Sequence, residues 1–370
     1  MNIPFVDLKS RFKEEQKDIN NVLNKILKSG NLILSKDVVN FEQQICKKLN
    51  VKYCLGLNSG TDALMLALWG LGIKKNDEVI TTSVSFIATA GSIAHLGAKP
   101  VFVECGLDLN IDPKKIESAI TKKTKAIMPV HWTGRMSNIK EIYKIAKKYK
   151  LFIIEDAAQA AGASIDNIKP GQLSDAAAFS AHPLKPLNAL GDAGYLITNN
   201  KKLYEKIKLY RNHGLIGREN TEFFGINSRL DGIHAGVLSL RLKKLDSVIT
   251  KRKKNVDLYR KTIKAKEFYI IPEKKNEVNS YAMFVSLAEK RDELNDYLKK
   301  NGVESIIYYA NPLHLHKSSK KTFGYKKGDL PISENICNKV ISIPFHQNIK
   351  KNEIIYISKL INQFYKIEKD

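Results

Sequence analysis

The chain has 370 residues, which is long enough for a large domain with a smaller one, or for one sizeable α/β core. Hydrophobic residues make up 43% and charged residues 27%, as in an ordinary soluble globular protein. No apolar run approaches the roughly 20 residues that span a bilayer. The first residues show neither an apolar signal core nor an Arg/Ser-rich transit pattern, so we expect a cytoplasmic protein without a membrane partner.

The formal net charge of +23 could indicate a nucleic-acid-binding protein, but the distribution of the lysines argues against it. They are spread along the chain on presumed helix faces, such as Lys140–Lys150 and Lys201–Lys208, and no basic stripe alternates with aromatic residues. We therefore expect no nucleic-acid partner. The positive field would still attract an anionic small substrate.

The four cysteines are scattered along the chain, and they form neither a CxxC pair nor a spacing that is typical of metal ligands. Free thiols that are buried in a reducing cytosol are the natural interpretation. We therefore expect no disulfide and no metal site. The residues concerned are Cys46, Cys54, Cys105 and Cys337.

Between residues 50 and 200, short apolar runs alternate with amphipathic stretches, which predicts strands and helices in turn. Apolar strands separated by helices are typical of a mostly parallel sheet that is covered on both faces. The predicted strands are Val79–Thr82, Lys99–Val103, Ala126–Val130, Leu151–Glu155, Ala176–Ser180 and Gly194–Thr198. The predicted helices are Asp62–Leu71, Ala88–Leu96, Lys114–Ile120 and Ile139–Tyr149.

A long amphipathic stretch, His234–Lys264, follows the sheet region, with apolar residues at helical spacing and charged pairs on the other face. It predicts a link into a second, smaller α/β segment. We expect a large domain over residues 1–246, a small domain over residues 247–370, and a cleft between them. Further predicted elements are strands near Phe268–Ile271 and Ala282–Ser286, a helix at Arg291–Asn301 and a terminal helix from Glu353.

The segment Leu57–Leu64 (LNSGTDAL) places a small, Gly-containing turn before an amphipathic helix. Free backbone N–H groups at a helix N-terminus, beside the hydroxyls of Ser59 and Thr61, form a site suited to phosphate. The same residue types also form an ordinary helix cap. The segment alone leaves these two interpretations equally open.

Two carboxylates, Glu155 and Asp156, follow directly after the apolar run Phe152–Ile154. Open α/β sheets bind their ligands at the carboxyl ends of the strands. An acid at this place could simply cap the segment that follows. A functional acid would instead pair with a cationic group of a ligand, such as a protonated ring nitrogen.

Lys185 lies in a Pro-containing loop that follows the predicted strand ending at Ser180. A lysine among apolar residues loses its charge more easily and becomes a usable nucleophile. In a chain so rich in lysine, any one of them is more often a solvated surface residue. The order and spacing of Lys185 relative to the two preceding motifs distinguish it from the others.

Together, the three motifs resemble the DegT/DnrJ/EryC1/StrS family of pyridoxal-phosphate-dependent nucleotide-sugar aminotransferases, which have fold type I. The resemblance extends over nearly the whole chain. It implies an α/β fold with a large, mostly parallel, seven-stranded sheet between helices and a smaller C-terminal α/β domain. The matching segments include IPFVDLKSR, SGTDALMLAL, SVSFIATA, IIEDAAQAAGA, FSAHPLKPLNALGDAGYLIT, RNHG, GINSRLDGIHAGVLSLRLKKLD, NPLHLHK and SENICNKVISIPFHQN.

The resemblance implies pyridoxal 5′-phosphate as the cofactor, with pyridoxamine phosphate as its aminated form. Lys185 matches the lysine that binds the cofactor covalently and then moves a proton between the substrate and the cofactor. Asp156 matches the acid that keeps the pyridine nitrogen protonated, so that the ring accepts electrons. Gln159 matches a residue beside the 3-hydroxyl group, and Phe86 matches the aromatic residue that stacks on the ring. The phosphate ligands are matched by Ser59, Gly60, Thr61 and Ser180.

Asn227 resembles a residue that reaches the cofactor phosphate of the neighbouring subunit, which implies a homodimer with shared active sites. The alternative is an ordinary turn residue after Gly225. Several further side chains are candidates to face the substrate, although a histidine at a strand end is as often structural as catalytic. These candidates are His131, His182, Tyr308 and His314.

The chain departs from the family pattern at few positions. Ala193 replaces the usual glycine of a GDGG run, Ala161 replaces a usual histidine, and Ser35 replaces a glycine that is common near the N-terminus. None of the three matches a cofactor-binding residue. We therefore expect these changes to affect local loop shape rather than the chemistry.

The resemblance implies transfer of an amino group from L-glutamate, which leaves as 2-oxoglutarate, to a keto group of a nucleoside-diphosphate-linked deoxy sugar, with ping-pong kinetics. Five residues separate Lys185 from Gly191, and Asp192 follows, as in family members that act at C-3. Members that act at C-4 more often have four residues and then Glu, so we favour C-3 over C-4. The remaining alternatives are a sugar dehydratase, which typically has His in place of the lysine, and a non-catalytic regulator.

Overall fold

The computed structural model of the chain describes residues 2–366. The helices are α1 Leu8–Ser29, α2 Lys36–Leu49, α3 Gly60–Gly70, α4 Ile87–His95, α5 Ile139–Tyr149, α6 Lys201–Tyr210, α7 Gly232–Leu242, α8 Leu245–Thr262, α9 Arg291–Lys300, α10 Lys317–Phe323, α11 Pro331–Lys339 and α12 Lys351–Phe364. The strands are β1 Tyr53–Leu57, β2 Glu78–Thr82, β3 Lys99–Val103, β4 Thr124–Met128, β5 Phe152–Asp156, β6 Ser164–Ile165, β7 Ala176–Ser180, β8 Gly194–Thr198, β9 Phe268–Ile270, β10 Glu277–Val278, β11 Val285–Ala288 and β12 Val340–Ser342.

The main sheet of the described chain has seven strands in the order β1-β8-β7-β5-β4-β2-β3. Six of them run in the same direction, and β8 pairs antiparallel with both of its neighbours. The carboxyl ends of β1, β5 and β7 therefore meet the first residue of β8 at one edge. The expectation of a mostly parallel seven-stranded α/β sheet is confirmed.

Helices cover both faces of this sheet, because its strands carry apolar residues on both sides. Ile153 and Ile154 are successive residues of β5, so their side chains point to opposite faces. Ile153 packs into a cluster that contains Ile142 of α5, whereas Ile154 packs into a second cluster that contains Leu64 of α3. None of the helices in residues 2–366 is both long and apolar enough to cross a membrane.

A second, antiparallel sheet has the order β12-β11-β9. Helices α8 and α12 pack together beside it, through buried residues such as Val256 and Ile357. Helix α8 begins at Leu245, next to the predicted boundary between residues 246 and 247. The division into two domains at that boundary stays a prediction.

Three predicted elements differ from the structure. Lys114–Ile120 forms two short 3₁₀ turns, Pro113–Lys115 and Glu117–Ala119, rather than a helix. The stretch His234–Lys264 is broken at Lys244, whose N–H donates to the Arg241 carbonyl in a tighter, three-residue turn. The strand predicted from Ala282 begins only at Val285, since the N–H of Ala282 is taken by the Thr133 carbonyl at 3.0 Å.

Candidate active site

A pocket of about 410 Å³ opens at the carboxyl edge of the main sheet. It is bounded by the segments that follow β1, β2, β5 and β7, by the N-terminal segment, and by residues near the second sheet. Ligands of open α/β sheets bind at this edge. Most of the site residues predicted from the sequence line it, namely Ser59, Gly60, Thr61, Phe86, Asp156, Gln159, Ser180, His182, Lys185 and Tyr308.

The N-terminus of α3 forms one wall of the pocket. Ser59 caps the helix, and its Oγ accepts a hydrogen bond of 3.1 Å from the Asp62 N–H. The helix cap takes up only the Asp62 N–H, and Gly60 and Thr61 still line the pocket. The segment can therefore cap the helix and also bind an anion. Gly194 packs so closely that a Cβ there would lie 2.3 Å from the Ser59 carbonyl carbon. Only glycine allows this approach of β8 to the start of α3.

Lys185 lies in the loop after β7, where its N–H donates to the His182 carbonyl at 2.9 Å. Its side chain lines the pocket with Leu184, Asp156 and Ala193. Burial lowers the pKa of the Lys185 amine, and the negative charge of Asp156 partly opposes this change. A neutral amine, which is the nucleophilic form, is therefore available at lower pH than for a solvated lysine.

Asp156 ends β5, and its carboxylate is fixed by two donors. Thr89 Oγ1 donates to Oδ2 at 2.6 Å, and the Ala158 N–H donates to Oδ1 at 3.2 Å. Burial raises the pKa of Asp156, whereas these hydrogen bonds and the charges of Lys185 and His131 lower it. An acid that is buried with so few donors has room for a cationic partner on its pocket side.

Gln159 and Phe86 take up positions that suit the contacts predicted for them. The amide oxygen of Gln159 accepts a hydrogen bond of 2.8 Å from the Thr133 N–H, so the amide nitrogen is left for the pocket. The Phe86 side chain is 54% exposed although it lines a pocket, which is unusual for a large apolar ring. A flat ligand ring stacked on it would cover this surface.

Two of the predicted substrate residues do not line the pocket. His131 is fully buried behind it, with Nε2 2.5 Å from Glu155 Oε2, and with Nδ1 accepting a 3.1 Å hydrogen bond from the Ser137 N–H. His314 is fully buried too, and pairs with Glu334 at 3.0 Å. Both histidines have a structural partner, so the expectation that they face a substrate is corrected.

Asn227 also lies outside the pocket of its own chain. It is exposed, in the irregular segment before α7, where it forms an isolated antiparallel bridge with Asn212. Its neighbour Ser228 is fully buried and donates a hydrogen bond of 3.2 Å to Asn58 Oδ1, close to the start of α3. The segment is therefore anchored next to the start of α3, while Asn227 itself is exposed.

Sequence reasoning missed several residues that line the pocket. Phe5 comes from the N-terminal segment and packs edge-on against Tyr308, with ring centroids 6.1 Å apart. Arg252, Phe345 and His346 come from α8 and from the loop after β12. Of these residues, only Arg252 could have been predicted from the sequence to be buried. It falls at helical spacing within the apolar stripe Ile249, Val256 and Tyr259 rather than on the charged face.

The chemistry of the pocket suits one cofactor well. Pyridoxal 5′-phosphate has an aldehyde that a lysine amine attacks, a basic ring nitrogen and a phosphate. Lys185, the buried acid Asp156 and the start of α3 provide a counterpart for each of these groups. The fold and the pocket thus define a pyridoxal-phosphate-dependent enzyme of fold type I.

Comparison with known proteins narrows this class to one family. The chain belongs to the DegT/DnrJ/EryC1/StrS aminotransferase family, whose sequence profile matches residues 13–362. It is 38% identical over 370 residues to a pleiotropic regulatory protein of Geobacillus stearothermophilus, covering 99% of both chains. It is 36% identical over 363 residues to the dTDP-3-amino-3,6-dideoxy-alpha-D-galactopyranose transaminase of Aneurinibacillus thermoaerophilus, covering 98% of this chain and 99% of that one.

The structure agrees with the sequence comparison. The crystal structure of S. venezuelae DesV in complex with a ketimine intermediate superposes with a TM-score of 0.96, at 32% identity and with 100% of both chains covered. A match of this extent leaves no part of the main fold unaccounted for. The chain is therefore an enzyme, a pyridoxal-phosphate-dependent aminotransferase.

Proposed function

We propose that this aminotransferase moves an amino group from L-glutamate to the C-3 ketone of a nucleoside-diphosphate-linked 6-deoxy sugar. The observation that carries the proposal is the presence of Lys185, Asp156 and the start of α3 in one pocket, which residues near the second sheet also line. Amination at C-4 is the alternative for the same machinery.

The chain's own residues divide the work of the reaction. The bound cofactor supplies an electron sink for the carbon that gains or loses the amine. Asp156 holds the charge that keeps the ring nitrogen protonated, and Thr89 keeps that carboxylate in place. The Lys185 amine moves the proton at the reacting carbon, and its lowered pKa makes the neutral form that accepts a proton easier to reach than in a solvated lysine. Phe86 would stack on the cofactor ring and hold it in place.

Two observations support the C-3 position. Five residues and then Gly191-Asp192 follow Lys185, which is the spacing of family members that act at C-3. The transaminase of Aneurinibacillus thermoaerophilus, 36% identical, carries the 3-amino position in its name. In the pocket, Asp192 lies on the wall beside His182, and its charge raises the pKa of that histidine against the effect of burial. Asp192 is thus close enough to the site to contact a sugar.

A homodimer with shared sites is part of the proposal. Around Asn227 the surface carries large apolar side chains, including Ile216, Ile226 and Phe224, the last of them 96% exposed. An apolar surface of this kind is typical of a subunit contact. If a second copy covers it, Asn227 can reach the phosphate in the neighbouring pocket.

The two rival functions can be weighed on the same residues. A sugar dehydratase of the family would typically have His where this chain has Lys185. A purely regulatory member is worth considering, because the relative from Geobacillus stearothermophilus is named a pleiotropic regulatory protein. Such a member has no need of a buried Asp156 facing a lysine of lowered pKa, and this pair favours catalysis.

The proposal is tested with purified protein, L-glutamate and a matched pair of 3-keto and 4-keto nucleotide sugars. We expect 2-oxoglutarate and an amino sugar to form, faster with the 3-keto substrate. The Lys185→Ala variant should lose turnover by a factor of about 10³ or more while still binding free cofactor. Lys201→Ala, an exposed lysine of α6, is the matched control. Two results would contradict the proposal: turnover that persists in the Lys185→Ala variant, or the absence of turnover in the wild-type protein with both sugars.

A further inference from the structure

Arg252 contributes a buried cation to the wall of the pocket. It projects from α8 on the same stripe as Ile249 and Val256, and only 5% of its surface is exposed. The pocket that it lines also contains Lys185. An arginine at such a place is costly to bury unless an anion compensates its charge.

The guanidinium group is held by neutral groups alone. Nη1 donates to the Tyr281 carbonyl at 2.8 Å, and both Nε and Nη2 donate to Gln347 Oε1, at 3.2 and 3.1 Å. The ring of Phe345 lies 5.5 Å from the guanidinium carbon. A guanidinium has five N–H groups, so one N–H on Nη1 and one on Nη2 have no acceptor in residues 2–366. These contacts fix the orientation of the fork without neutralising it.

The surrounding charges add to the positive potential. Within the described residues no carboxylate lies within 4.0 Å of Arg252, and the nearby Arg11 is itself a cation. Arg11 and Arg241 share one acid, Glu15, at 3.4 and 2.8 Å. Glu15 is therefore already paired with two other guanidinium groups and does not pair with Arg252. Burial, and then the charge of Arg11, lower the pKa of Arg252 to about 9, which still leaves it a cation at neutral pH.

We propose that Arg252 forms a carboxylate-binding subsite of the pocket, which holds the carboxylate of the amino donor during its half of the reaction. This inference rests on the proposed function. Two free N–H groups on a planar fork match the two oxygens of a carboxylate. The carboxylate of an amino acid is attached to the carbon that reacts at Lys185, so it must lie in the same pocket. The diphosphate of a nucleotide sugar is joined at C-1, further from the reacting carbon.

A carboxylate could also come from the second substrate, if the sugar is a uronate. The same subsite would then orient the sugar rather than the donor. The two sources share their chemistry, and they can be separated because the donor and the sugar react in different half-reactions.

The test uses the holoenzyme and the variants Arg252→Gln and Arg252→Lys, with Arg260→Gln as the matched control. Arg260 lies two turns further along α8, where it pairs with Asp257 and Glu273 outside the main pocket. Calorimetry measures the binding of glutarate, a dicarboxylate that cannot react. The absorbance of the bound cofactor then follows each half-reaction separately, with L-glutamate and with neutral and uronate keto sugars. Thermal unfolding identifies variants that do not fold.

In Arg252→Gln we expect glutarate binding and the glutamate half-reaction to weaken by about 30-fold or more, with partial recovery in Arg252→Lys and no change in Arg260→Gln. The half-reaction with a neutral keto sugar should not change. A loss confined to the uronate sugar keeps the subsite but assigns it to the sugar. Unchanged binding in a folded Arg252→Gln variant overturns the proposal, as does an equal loss with a neutral sugar. If glutarate binding depends on Arg252 while no keto sugar is aminated, the proposed function fails and the subsite stands.

Discussion

The Thr89 hydroxyl donates a hydrogen bond of 2.6 Å to Oδ2 of Asp156, and the hydroxyl of Ser85 lies 2.7 Å from the same Thr89 oxygen. Thr89 and Ser85 are both buried, so this short chain of hydroxyl groups is shielded from water. It stabilises the ionised form of a carboxylate whose pKa burial raises. The acid that has to stay charged is therefore held by groups from α4 and from the segment before it.

Replacing Thr89 by Val removes this hydrogen bond at nearly constant volume. The pKa of Asp156 should rise further, because a donor to its ionised form is lost. The reaction needs the ionised carboxylate, so activity disappears as the pH falls through this pKa. The acid limb of the pH–rate profile should therefore move to higher pH by about 1 to 2 units, since a hydrogen bond to a charged group contributes about 1.5–3 kcal/mol.

Thr89→Ser, which keeps a hydroxyl, is the control for this variant and should retain most of the activity. The measurement is the pH dependence of turnover, together with the absorbance of the bound cofactor. An acid limb that stays in place in Thr89→Val would show that Thr89 does not tune Asp156.

The close approach of β8 to the start of α3 gives a second prediction. A Cβ on Gly194 would lie 2.3 to 2.5 Å from backbone atoms of Ser59 and Gly60, so one of the two backbones must move. Gly194→Ala should lower the free energy of unfolding by about 1–3 kcal/mol and weaken cofactor binding. Gly91→Ala is the control, since a Cβ at that position in α4 meets no atom within 4 Å. It should leave binding unchanged and stabilise the helix by up to about 1 kcal/mol.

Both variants are compared by thermal unfolding without cofactor and by titration with pyridoxal 5′-phosphate. Equal cofactor affinity in Gly194→Ala and in the wild type would mean that the start of α3 does not hold the phosphate.

The architecture could largely be predicted from the sequence, because it depends on local patterns. Strands Ala176–Ser180 and Gly194–Thr198 and helix Ile139–Tyr149 have the predicted bounds, since their apolar periodicity ends at clear turn residues. The antiparallel direction of β8 could not be predicted in this way. Strand direction depends on how the loop with Lys185 returns the chain across the sheet, and a short apolar run does not encode that.

The sequence predicted the site residues whose position follows from the order of the strands along the chain. Lys185 and Asp156 line one pocket because Asp156 ends β5 and Lys185 follows β7, the parallel neighbour of β5. Glu155, one residue earlier, faces the opposite side of β5 and binds His131 and the Gly171 N–H instead. The contribution of Phe5 could not be foreseen, since a residue near the N-terminus reaches the pocket only through packing against Tyr308.

Because His131 is buried outside the pocket, we expect its replacement to lower stability without changing substrate binding. His131→Ala removes the partner of Glu155 Oε2, while the Gly171 N–H and the Ser174 hydroxyl still donate to Oε1, and should cost about 1–3 kcal/mol of stability. The KM for the sugar should not change, because His131 does not line the pocket. Tyr308→Phe is the contrasting variant, because Tyr308 lines the pocket. It should change the KM for the sugar and have little effect on stability. A raised KM in a fully stable His131→Ala protein would contradict this placement.

Asn227 is exposed and lies outside the pocket of its own chain. If the active site is shared, a complete site therefore needs Lys185 from one subunit and Asn227 from the other. Lys185→Ala and Asn227→Ala proteins should each have low activity. A mixed dimer of the two contains one intact site, with Lys185 from one copy and Asn227 from the other. Unfolding and refolding them together at equal concentration should restore up to about a quarter of wild-type turnover, since half of the dimers are mixed and each has one working site of two.

The measurement is turnover of the co-refolded mixture against the sum of the separately refolded variants, with sedimentation to confirm the dimer. Each variant refolded with the exposed-surface variant Lys201→Ala is the control for refolding yield. Additive activity in a mixture that does form dimers would show that Asn227 acts within its own chain or not at all. Recovered activity instead requires residues from both copies in one site, because neither variant alone carries the missing side chain.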